Sequence, residues 1–385
     1  MTSGTRGAAP EQSALRVFLV AGESSGDIHG ANLIRAMKQQ APGMSCEGLG
    51  GTRMADAGMT LHYDLAGDAI MGFAEVIESL GKIRRLFHLC VERLDTWKPH
   101  CLVLIDYPGF NIRLAKAAHK RNIPVVYYIS PQVWAWKRGR IHTLARVCRK
   151  MLVVFPFEET LYKDVGLSCQ YVGHPLIDHL ESLPIEGRYR DGTVIGLMPG
   201  SREQEIRRIF PIMLDIARRI QQRYPDARFV TPCVDAARET QVKALAGDFP
   251  LETAISQTYE VLDGARFCLV ASGTATLETA LFGVPMVILY KVVPVTYWIA
   301  RLLVGIQHIG MVNILAQRRI VPEFVQHQAR AETVLPVALA LIEDSPARKA
   351  MVDDLAALRA QLGGPGASAR AASAVLEVAG SMAHG

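Results

Sequence analysis

The sequence has few of the features that mark secreted, metal-binding or nucleic-acid-binding proteins. Only seven of its 385 residues are cysteines, and they are scattered with no Cys-x-x-Cys pair, as is typical of proteins in a reducing compartment. It lacks His/Cys clusters with zinc spacing and any Asp-x-Asp pair, so we predict neither a metal nor another cofactor. The formal net charge of +5 is too small for a dedicated nucleic-acid binder and predicts no nucleic-acid partner.

Long hydrophobic runs are also missing. Residues 1–15 are small and polar without the apolar core of a signal peptide, and we predict a flexible N-terminus there. The segment that comes nearest to a membrane-spanning run, Thr279–Gln317, is interrupted by Lys291 and Arg301, short of the roughly 18 to 20 apolar residues required. Half of the residues are hydrophobic and 21% are charged, which excludes a disordered or fibrous chain. These features predict a folded cytoplasmic protein.

Short apolar runs alternate with segments of helical period along the chain. Strands are predicted at 16–21, 101–105, 125–129, 151–155, 169–172, 193–198, 228–231, 267–271 and 285–290. Helices are predicted near 28–40, 112–121, 139–149, 158–165, 202–223 and 274–282, and through most of the tail from Ala331. Such alternation predicts parallel sheets with helices on both faces.

The alternation weakens in the polar, Pro- and Gly-bearing stretch 173–192 and then restarts. We therefore predict an α/β protein with two doubly wound domains, at 16–175 and 176–345, followed by C-terminal helices at 346–385. These helices either pack back on the N-terminal domain or exchange between subunits. A ligand cleft is expected between the two domains, where the carboxyl ends of their strands would face each other.

The first candidate site is the loop Ala21–Gly30 (AGESSGDIHG) between the first strand and the first helix. Its glycine spacing does not match the dinucleotide-binding fingerprint. Gly-Glu-Ser24-Ser-Gly does match the Gly-x-Ser-x-Gly elbow of serine hydrolases, although that elbow normally follows several strands rather than the first. A turn whose Ser or Asp caps the helix is another interpretation. We favour a polar loop that presents Ser24 and Asp27 to a ligand.

Asp106 provides a second candidate, because it directly follows a buried strand. A carboxylate at a strand end is placed to act as a general base. The alternative is a cap for the helix that begins near Asn111. His174, in Gly-His-Pro at the predicted domain boundary, would either reach the cleft or occupy a turn.

Two strand–loop–helix turns in the second half suit a bound diphosphate. Backbone N–H groups at helix N-termini and a guanidinium both favour anions. The first turn offers Gly200, Ser201 and Arg202, and the second offers Ser272, Gly273 and Thr274, with Glu278 one helical turn further to accept hydrogen bonds from a ribose diol. Each turn has a purely structural interpretation, namely a Ser-capped helix or an ion-paired Glu278. Two such turns in one domain favour a nucleotide site.

A basic amphipathic segment begins at Phe73. Its apolar residues recur at helical spacing, at Phe73, Val76, Ile77, Leu80, Ile83 and Phe87, with Lys82, Arg84 and Arg85 beside them. This pattern suits an acyl-chain groove or an anionic lipid surface, although a helix that merely covers a sheet has the same pattern. A second such segment, 294–304, contains Tyr297 and Trp298, which suit a membrane interface.

Nine ordered motifs extend this list over nearly the whole chain. They are AGESSGD (21–27), MGFAEV (71–76), IDYPGFN (105–111), SPQVWAW (130–136), FPFE (155–158), GHP (173–175), MPGSR (198–202), ASGTATLE (271–278) and Asn-Ile-Leu (313–315). As an ordered set they resemble the lipid-A-disaccharide synthases, bacterial glycosyltransferases with two Rossmann-like domains in the GT-B fold.

The resemblance implies a reaction and a set of roles. The donor would be UDP-2,3-diacylglucosamine, and the acceptor 2,3-diacylglucosamine 1-phosphate, whose 6-hydroxyl attacks with inversion to give a β-linked disaccharide and UDP. Asp106 would be the base, with Asp27 and His29 as alternatives. The positions that match the UDP site are Arg202, Ser272, Gly273, Thr274, Glu278 and Asn313; Arg318 and Glu323 receive no individual role.

The resemblance also implies a location and partners. Both substrates are acylated, so we expect peripheral association with the cytoplasmic face of the inner membrane. The family's C-terminal helices can exchange between subunits, which makes a homodimer one expected arrangement. Two other interpretations stay open at this stage: a serine hydrolase that uses Ser24, and a non-catalytic peripheral membrane protein that uses the 73–87 face.

Overall fold

The computed structural model describes residues 15–68, 76–131, 139–292 and 308–383. The chain divides into two units, the first made of 1–175 with 366–385 and the second of 176–365. Each unit contains one wholly parallel sheet with helices packed around it.

The sheet of the first unit has seven strands. They are β1 (Arg16–Ala21), β2 (Ser45–Gly50), β3 (Thr60–Asp64), β4 (Cys101–Ile105), β5 (Val125–Tyr128), β6 (Lys150–Val153) and β7 (Cys169–Tyr171). Their order across the sheet is β3-β2-β1-β4-β5-β6-β7. The chain therefore proceeds outward from β1 to one edge, returns to β4 and proceeds to the other edge, which is the doubly wound topology. The central strand β4 (CLVLI) is buried along its whole length, because helices cover both of its faces.

Among the residues that the structure describes, seven helices lie between and after these strands. They are α1 (Ser24–Gln40), α2 (Thr52–Asp56), α3 (Leu65–Asp68), α4 (Val76–Thr96), α5 (Pro108–His119), α6 (Arg140–Val147) and α7 (Pro156–Lys163). One face of the sheet carries a core that includes Phe18, Leu104 and Tyr127, and α4 adds Leu86, Cys90 and Leu94 to it. All seven cysteines of the chain are buried and free, as expected of small hydrophobic side chains.

The second unit has a six-stranded sheet. Its strands are β8 (Val194–Met198), β9 (Arg228–Cys233), β10 (Leu251–Ile255), β11 (Ala265–Ala271), β12 (Met286–Tyr290) and β13 (Glu323–Val325), in the order β10-β9-β8-β11-β12-β13. Its helices are α8 (Pro175–Glu181), α9 (Glu203–Arg223), α10 (Ala236–Ala246), α11 (Thr258–Gly264), α12 (Thr274–Leu281), α13 (Met311–Ala316), α14 (Ala331–Ile342) and α15 (Pro346–Gln361). The topology repeats that of the first unit, with β8 and β11 in the places of β1 and β4.

The chain ends in α16 (Ala367–Ala383), which packs on the first unit against α1. Arg370 Nε donates to the carbonyl of Val172 at 2.8 Å, and Gln40 Nε2 donates to the carbonyl of Ala369 at 3.1 Å. The first unit is therefore built from both ends of the sequence, whereas the second is continuous.

The α/β architecture predicted from the sequence is confirmed, but four strands were missed. β2 (SCEGLG), β3 (TLHYD), β10 (LETAI) and β13 (EFV) lack the continuous apolar runs of the others. Three of them are edge strands and the fourth, β2, lies next to an edge, where exposure permits polar residues. Also missed were the helices α2, α3, α8, α10, α11 and α13. Helices α1 and α5 begin four residues earlier than predicted.

Candidate functional site

The first unit places two predicted motifs side by side, at the carboxyl ends of β1 and β4. These strands are neighbours in parallel register, with Ala21 opposite Ile105. The chain leaves β1 for one edge of the sheet and β4 for the other, so this is the topological switch point, where ligands bind in sheets of this kind. The loop that starts at Gly22 and the loop that starts at Asp106 both belong to it.

Asp106 has an unusual backbone and an unusual carboxyl group. Its φ of 45° and that of Tyr107, 46°, both lie in the left-handed region, which non-glycine residues rarely adopt. Burial raises the pKa of the Asp106 carboxyl to about 6, the negative charge of Glu23 adds to this, and a hydrogen bond from the Tyr107 backbone opposes it. A base with a pKa near the working pH is well suited to proton transfer.

Gly22 allows the two loops to approach each other. A Cβ atom at this position would lie 2.3 Å from the ring of Tyr107, closer than any side chain permits. Tyr107 thus packs directly on the backbone after β1, and it precedes Pro108 at the start of α5. This contact therefore requires a glycine at position 22, the first of the two glycines in the AGESSGD motif.

Asp27, which the sequence offered as an alternative base, has its carboxylate bonded to backbone groups of the first unit. Its carboxylate is buried and accepts hydrogen bonds from the backbone N–H groups of Gly51 at 2.9 Å, Met54 at 3.0 Å and Arg53 at 3.2 Å. These are the groups at the start of α2, and an acidic side chain at a helix N-terminus stabilises it. The contacts favour a structural role for Asp27 in joining α1 to α2.

The two histidines of this region lie close together. His29 is half-buried on α1, and His174 is buried against Phe155, with ring centroids 5.4 Å apart. Burial lowers the pKa of His174 to about 3, and the charge of His29 contributes. His174 is therefore neutral at physiological pH. Ser24, the candidate hydrolase nucleophile, is exposed in the first turn of α1.

The second unit has its own switch point at the carboxyl ends of β8 and β11. After β8, Gly200 has a φ of 99°, and a Cβ atom there would lie 2.5 Å from Glu205 Oε2. Ser201 and Arg202 are exposed. The Arg202 guanidinium lies 3.3 Å from Glu205 Oε1, in a pair whose Arg side chain is 74% exposed. Such a pair is weak, so the guanidinium remains available to an anion.

Ser272, Gly273 and Thr274 follow β11 and lead into α12. A Cβ atom on Gly273 would have no neighbour within 4 Å, so the backbone is open to an approaching group. Ser272 Oγ donates to the carbonyl of Ile309 at 3.3 Å. The loops after β8 and β11 therefore bring the six residues predicted for phosphate binding to one switch point, where the α12 N-terminus favours negative charge.

Glu278 lies one turn into α12. Its Oε1 accepts a hydrogen bond from Tyr259 Oη at 2.8 Å. Burial raises the pKa of the Glu278 carboxyl, and the Tyr259 hydroxyl partly opposes the rise. Tyr259 was not identified from the sequence, where nothing distinguishes it from other tyrosines.

Asn313, which the resemblance matches to the UDP site, has its side chain bonded within the protein. The side chain is fully buried, and its Nδ2 donates to the Val321 carbonyl and to Glu323 Oε1, both at 2.7 Å. Its Oδ1 accepts from the backbone N–H groups of Ile320 at 2.8 Å and Val321 at 2.9 Å. All four hydrogen-bonding positions of the amide are thus occupied within the protein, which favours an indirect role.

Glu323, to which the sequence assigned no role, organises the same segment. Its Oε2 accepts from the N–H of Ile309 at 3.0 Å, and its Oε1 accepts from the N–H of Gly310 at 2.9 Å. Together with Asn313, it fixes the turn that carries the Ile309 carbonyl, to which Ser272 is bonded. The resemblance had singled out Glu323 without a role, because the sequence does not reveal its contacts with residues 309, 310 and 313.

The predicted acyl- or membrane-facing surface falls only partly within the described residues. Phe73 and the second segment with Tyr297 and Trp298 lie outside them, as do the side chains of Val76, Ile77 and Leu80 on α4. Arg84 and Arg85 are exposed. Ile83 and Phe87 instead pack against the core of the first unit, so this stretch of the predicted amphipathic face covers the sheet.

The part of the chain that the structure describes lacks two features. It contains no helix that is both long and apolar enough to cross a bilayer. It also contains no group of three or more His, Cys, Asp or Glu side chains placed to hold a metal ion.

Comparison with known proteins gives a consistent assignment. Residues 17–378 match the family described as lipid-A-disaccharide synthetase. The lipid-A-disaccharide synthase of Syntrophus aciditrophicus strain SB is 41% identical over 92% of this chain and 96% of its own, and that of Geobacter sulfurreducens is 39% identical over 96% and 99%.

Solved structures with a similar fold are far more distant in sequence. A putative UDP-N-acetylglucosamine 2-epimerase from Listeria monocytogenes has a TM-score of 0.66 at 14% identity, over 95% of this chain and 96% of that one. The S. aureus MnaA–UDP complex has a TM-score of 0.64 at 14% identity, over 92% and 94%. At such identities the likeness concerns the fold alone. The match over almost the full sequence, by contrast, places this chain in the lipid-A-disaccharide synthase family of glycosyltransferases.

Proposed function

We propose that the chain transfers 2,3-diacylglucosamine from its UDP donor to the 6-hydroxyl of 2,3-diacylglucosamine 1-phosphate, with Asp106 as the general base. Family membership supports the reaction class. The observation that carries the assignment of the base is the position of Asp106, a carboxyl with a pKa of about 6 at the switch point of the first sheet. Neither the serine hydrolase nor the non-catalytic membrane protein receives support from the comparisons.

The step is a single displacement. The Asp106 carboxylate takes the proton of the acceptor 6-hydroxyl while that oxygen forms a bond to the anomeric carbon of the donor. The bond from the anomeric carbon to the diphosphate oxygen breaks, and its electron pair leaves with UDP. Attack from the side opposite the leaving group inverts the anomeric centre, so one base and a stabilised leaving group suffice.

The second unit would stabilise the departing diphosphate. Arg202 supplies a guanidinium, and Ser201 and Thr274 supply hydroxyl and backbone donors around Gly200 and Gly273. Ser272 donates its hydroxyl to the Ile309 carbonyl and its N–H to the Leu289 carbonyl, so it would position this turn. Glu278 has one carboxylate oxygen bonded to Tyr259, and its second oxygen would accept from the ribose. A charge-assisted hydrogen bond contributes about 1.5–3 kcal/mol.

We also propose that the enzyme works while bound peripherally to the cytoplasmic face of the inner membrane. The exposed pair Arg84 and Arg85 suits contact with anionic headgroups, each basic residue near such a surface contributing about 1 kcal/mol. Acylated substrates would reach the enzyme from that surface.

The decisive experiment is a product assay. The purified chain is incubated with the diacyl donor and acceptor without added metal, and the tetraacyl disaccharide 1-phosphate is measured by mass spectrometry. We expect product and equimolar UDP from the wild type, and at least about a 10²-fold slower rate from Asp106→Asn.

Asp95→Asn is the matched control, because Asp95 is an exposed carboxylate of the same unit that pairs with Arg121 at 2.7 Å. It should retain the wild-type rate. An Asp106→Asn variant as active as this control would remove Asp106 from the role of base, and absence of product from the folded wild type would overturn the reaction itself.

A further inference from the structure

The backbone carbonyl of Asp106 is held by two side chains that the proposed mechanism does not use. Tyr127 Oη donates to it at 2.5 Å, and Asn111 Nδ2 donates to it at 2.8 Å. Tyr127 lies on the neighbouring strand β5, in register with Leu104, whereas Asn111 lies in the first turn of α5. Two independent elements therefore converge on one peptide oxygen.

That peptide is the one at which the backbone becomes left-handed. Asp106 and Tyr107 have φ values of 45° and 46°, in a left-handed region that aspartate adopts occasionally and a bulky residue such as tyrosine rarely. Strain of this kind persists only where surrounding contacts fix it, and it is concentrated at functional positions. Since the backbone dihedrals set the direction of the Cα–Cβ bond, they also set the direction of the Asp106 carboxylate.

Both donors are built into the core and are suited to a constant role. Tyr127 and Asn111 are fully buried, and burial raises the pKa of Tyr127 well above its ordinary value, so its hydroxyl keeps its proton. Asn111 Nδ2 donates also to the Ile105 carbonyl at 3.2 Å. Among the described residues, the Asn111 Oδ1 has no hydrogen-bond partner although it is buried. The hydrogen bonds that the Asn111 side chain makes are therefore those that its NH₂ group donates to backbone carbonyls.

We propose that Tyr127 and Asn111 are positioning residues that hold the Asp106 peptide in its left-handed conformation and thereby aim the carboxylate at the acceptor hydroxyl. The inference rests on the proposed role of Asp106 as the base. Neither side chain touches the reacting atoms, and both act through Asp106.

Tyr127→Phe is the sharpest test, because it removes one oxygen atom and leaves the ring in the core. We expect kcat to fall about 10- to 100-fold, as small misplacements of a reacting group do, with little change in the donor KM. Asn111→Leu, which keeps the volume and removes the donors, should have the same effect. It also provides a second measurement in case one variant fails to fold.

Tyr162→Phe is the matched control. Tyr162 is a fully buried tyrosine of the same core, and its hydroxyl is bonded to Ser130 Oγ at 2.6 Å rather than to Asp106. The Tyr162→Phe variant should lose about as much thermal stability as Tyr127→Phe, while its kcat stays at the wild-type value. An equal fall in kcat for Tyr162→Phe and Tyr127→Phe would show general loosening of the core and overturn the proposal.

A double-mutant cycle separates this inference from the function on which it rests. If Tyr127 acts through the carboxylate, Tyr127→Phe should not lower the residual turnover of Asp106→Asn any further. An equal fall in both backgrounds would overturn positioning, as would a wild-type kcat for Tyr127→Phe alone. Wild-type turnover by Asp106→Asn would instead overturn the base assignment.

Discussion

At the scale of single residues, the environment of Asp106 makes activity depend on pH in a defined direction. The base must be ionised, and its pKa is raised to about 6 by burial and by Glu23. We therefore expect kcat/KM to rise with pH up to about 6 and then level off. Glu23→Gln removes the nearby negative charge and should shift this limb to lower pH.

Measurement of kcat/KM between pH 4.5 and 8 for both proteins checks this expectation. A wild-type limb near pH 4, the ordinary range of an aspartate, would contradict the effect of burial. If kcat/KM rises at the same pH in Glu23→Gln as in the wild type, Glu23 does not raise the pKa of Asp106.

The same carboxyl reduces stability at neutral pH. Because its pKa is higher in the folded than in the unfolded chain, the folded state binds the proton more tightly, and the free energy of unfolding falls as pH rises from about 4 to about 6. The full effect, at most about 3 kcal/mol, is present at pH 8. Asp106→Asn, whose amide tolerates the left-handed backbone, should thus be more stable than the wild type at pH 8.

Urea denaturation of the two proteins at pH 8 and pH 4 provides the measurement. The difference in the free energy of unfolding should shrink at pH 4, where the folded wild-type carboxyl is protonated and about half of the unfolded chains also carry the proton. A difference that is the same at both pH values would point to a cause other than the charge.

At the scale of elements, the short helix α13 depends on Glu323, which binds the backbone in front of it and Asn313 within it. Glu323→Gln places an NH₂ group where one of these N–H donors points. We expect a loss of about 1–3 kcal/mol in the free energy of unfolding. UDP binding should also weaken, because the Ser272 hydroxyl is bonded to the segment that Glu323 fixes.

Differential scanning fluorimetry and calorimetric titration with UDP measure the two effects. Glu332→Gln is the control, since Glu332 is an exposed residue of the same unit whose carboxylate pairs with Arg219. Unchanged UDP affinity in a destabilised Glu323→Gln variant would confine Glu323 to stability.

Helix α4 provides the test of membrane association. Arg84→Glu combined with Arg85→Glu should reduce binding to vesicles that contain anionic lipids by at least about tenfold, at about 1 kcal/mol or more for each reversed charge. The same substitution at Arg113, an exposed residue of α5, provides a control for net charge. An effect at Arg113 that equals, for each reversed charge, the effect at the Arg84–Arg85 pair would indicate a non-specific attraction.

Burial and contact distance along the chain decided which strands and site residues could be predicted from the sequence. Strands buried on both faces, such as β4, were predicted because burial demands an unbroken apolar run, whereas β3 and β10 are edge strands with mixed composition. The site loops were predicted because Gly, Ser and charged residues follow those apolar runs. Tyr127 and Glu323 were not, because their roles come from contacts with residues 21 and 10 or more positions away.

At the scale of the whole molecule, the return of α16 to the first unit predicts unequal effects of truncation. Val375, Ala371, Ala372 and Ala379 lie on α16 and are buried where this helix packs on the first unit, and burial of a valine alone contributes about 1.5–3 kcal/mol. A chain ending before residue 366 should lose transferase activity and melt at a lower temperature. UDP binding should persist, because the second unit is complete within 176–365.

Calorimetric titration with UDP beside the product assay tests this separation. Glu377→Gln, which removes an ion pair of α16 whose Glu side chain is 72% exposed, should cost less than about 1 kcal/mol and leave both functions intact. Simultaneous loss of UDP binding and activity on truncation would contradict the independence of the second unit. Exchange of α16 between two subunits stays a prediction, which sedimentation of the truncated and full chains addresses.

The discontinuous first unit has a consequence for biosynthesis. During translation the strands β1 to β7 leave the ribosome first. Helix α16, which packs against α1, leaves it only after the whole second unit has been synthesised. The second unit, which is continuous, can therefore fold while the first unit still lacks α16. The unit that carries Asp106 thus begins to be synthesised before the second unit and receives its helix α16 only after it.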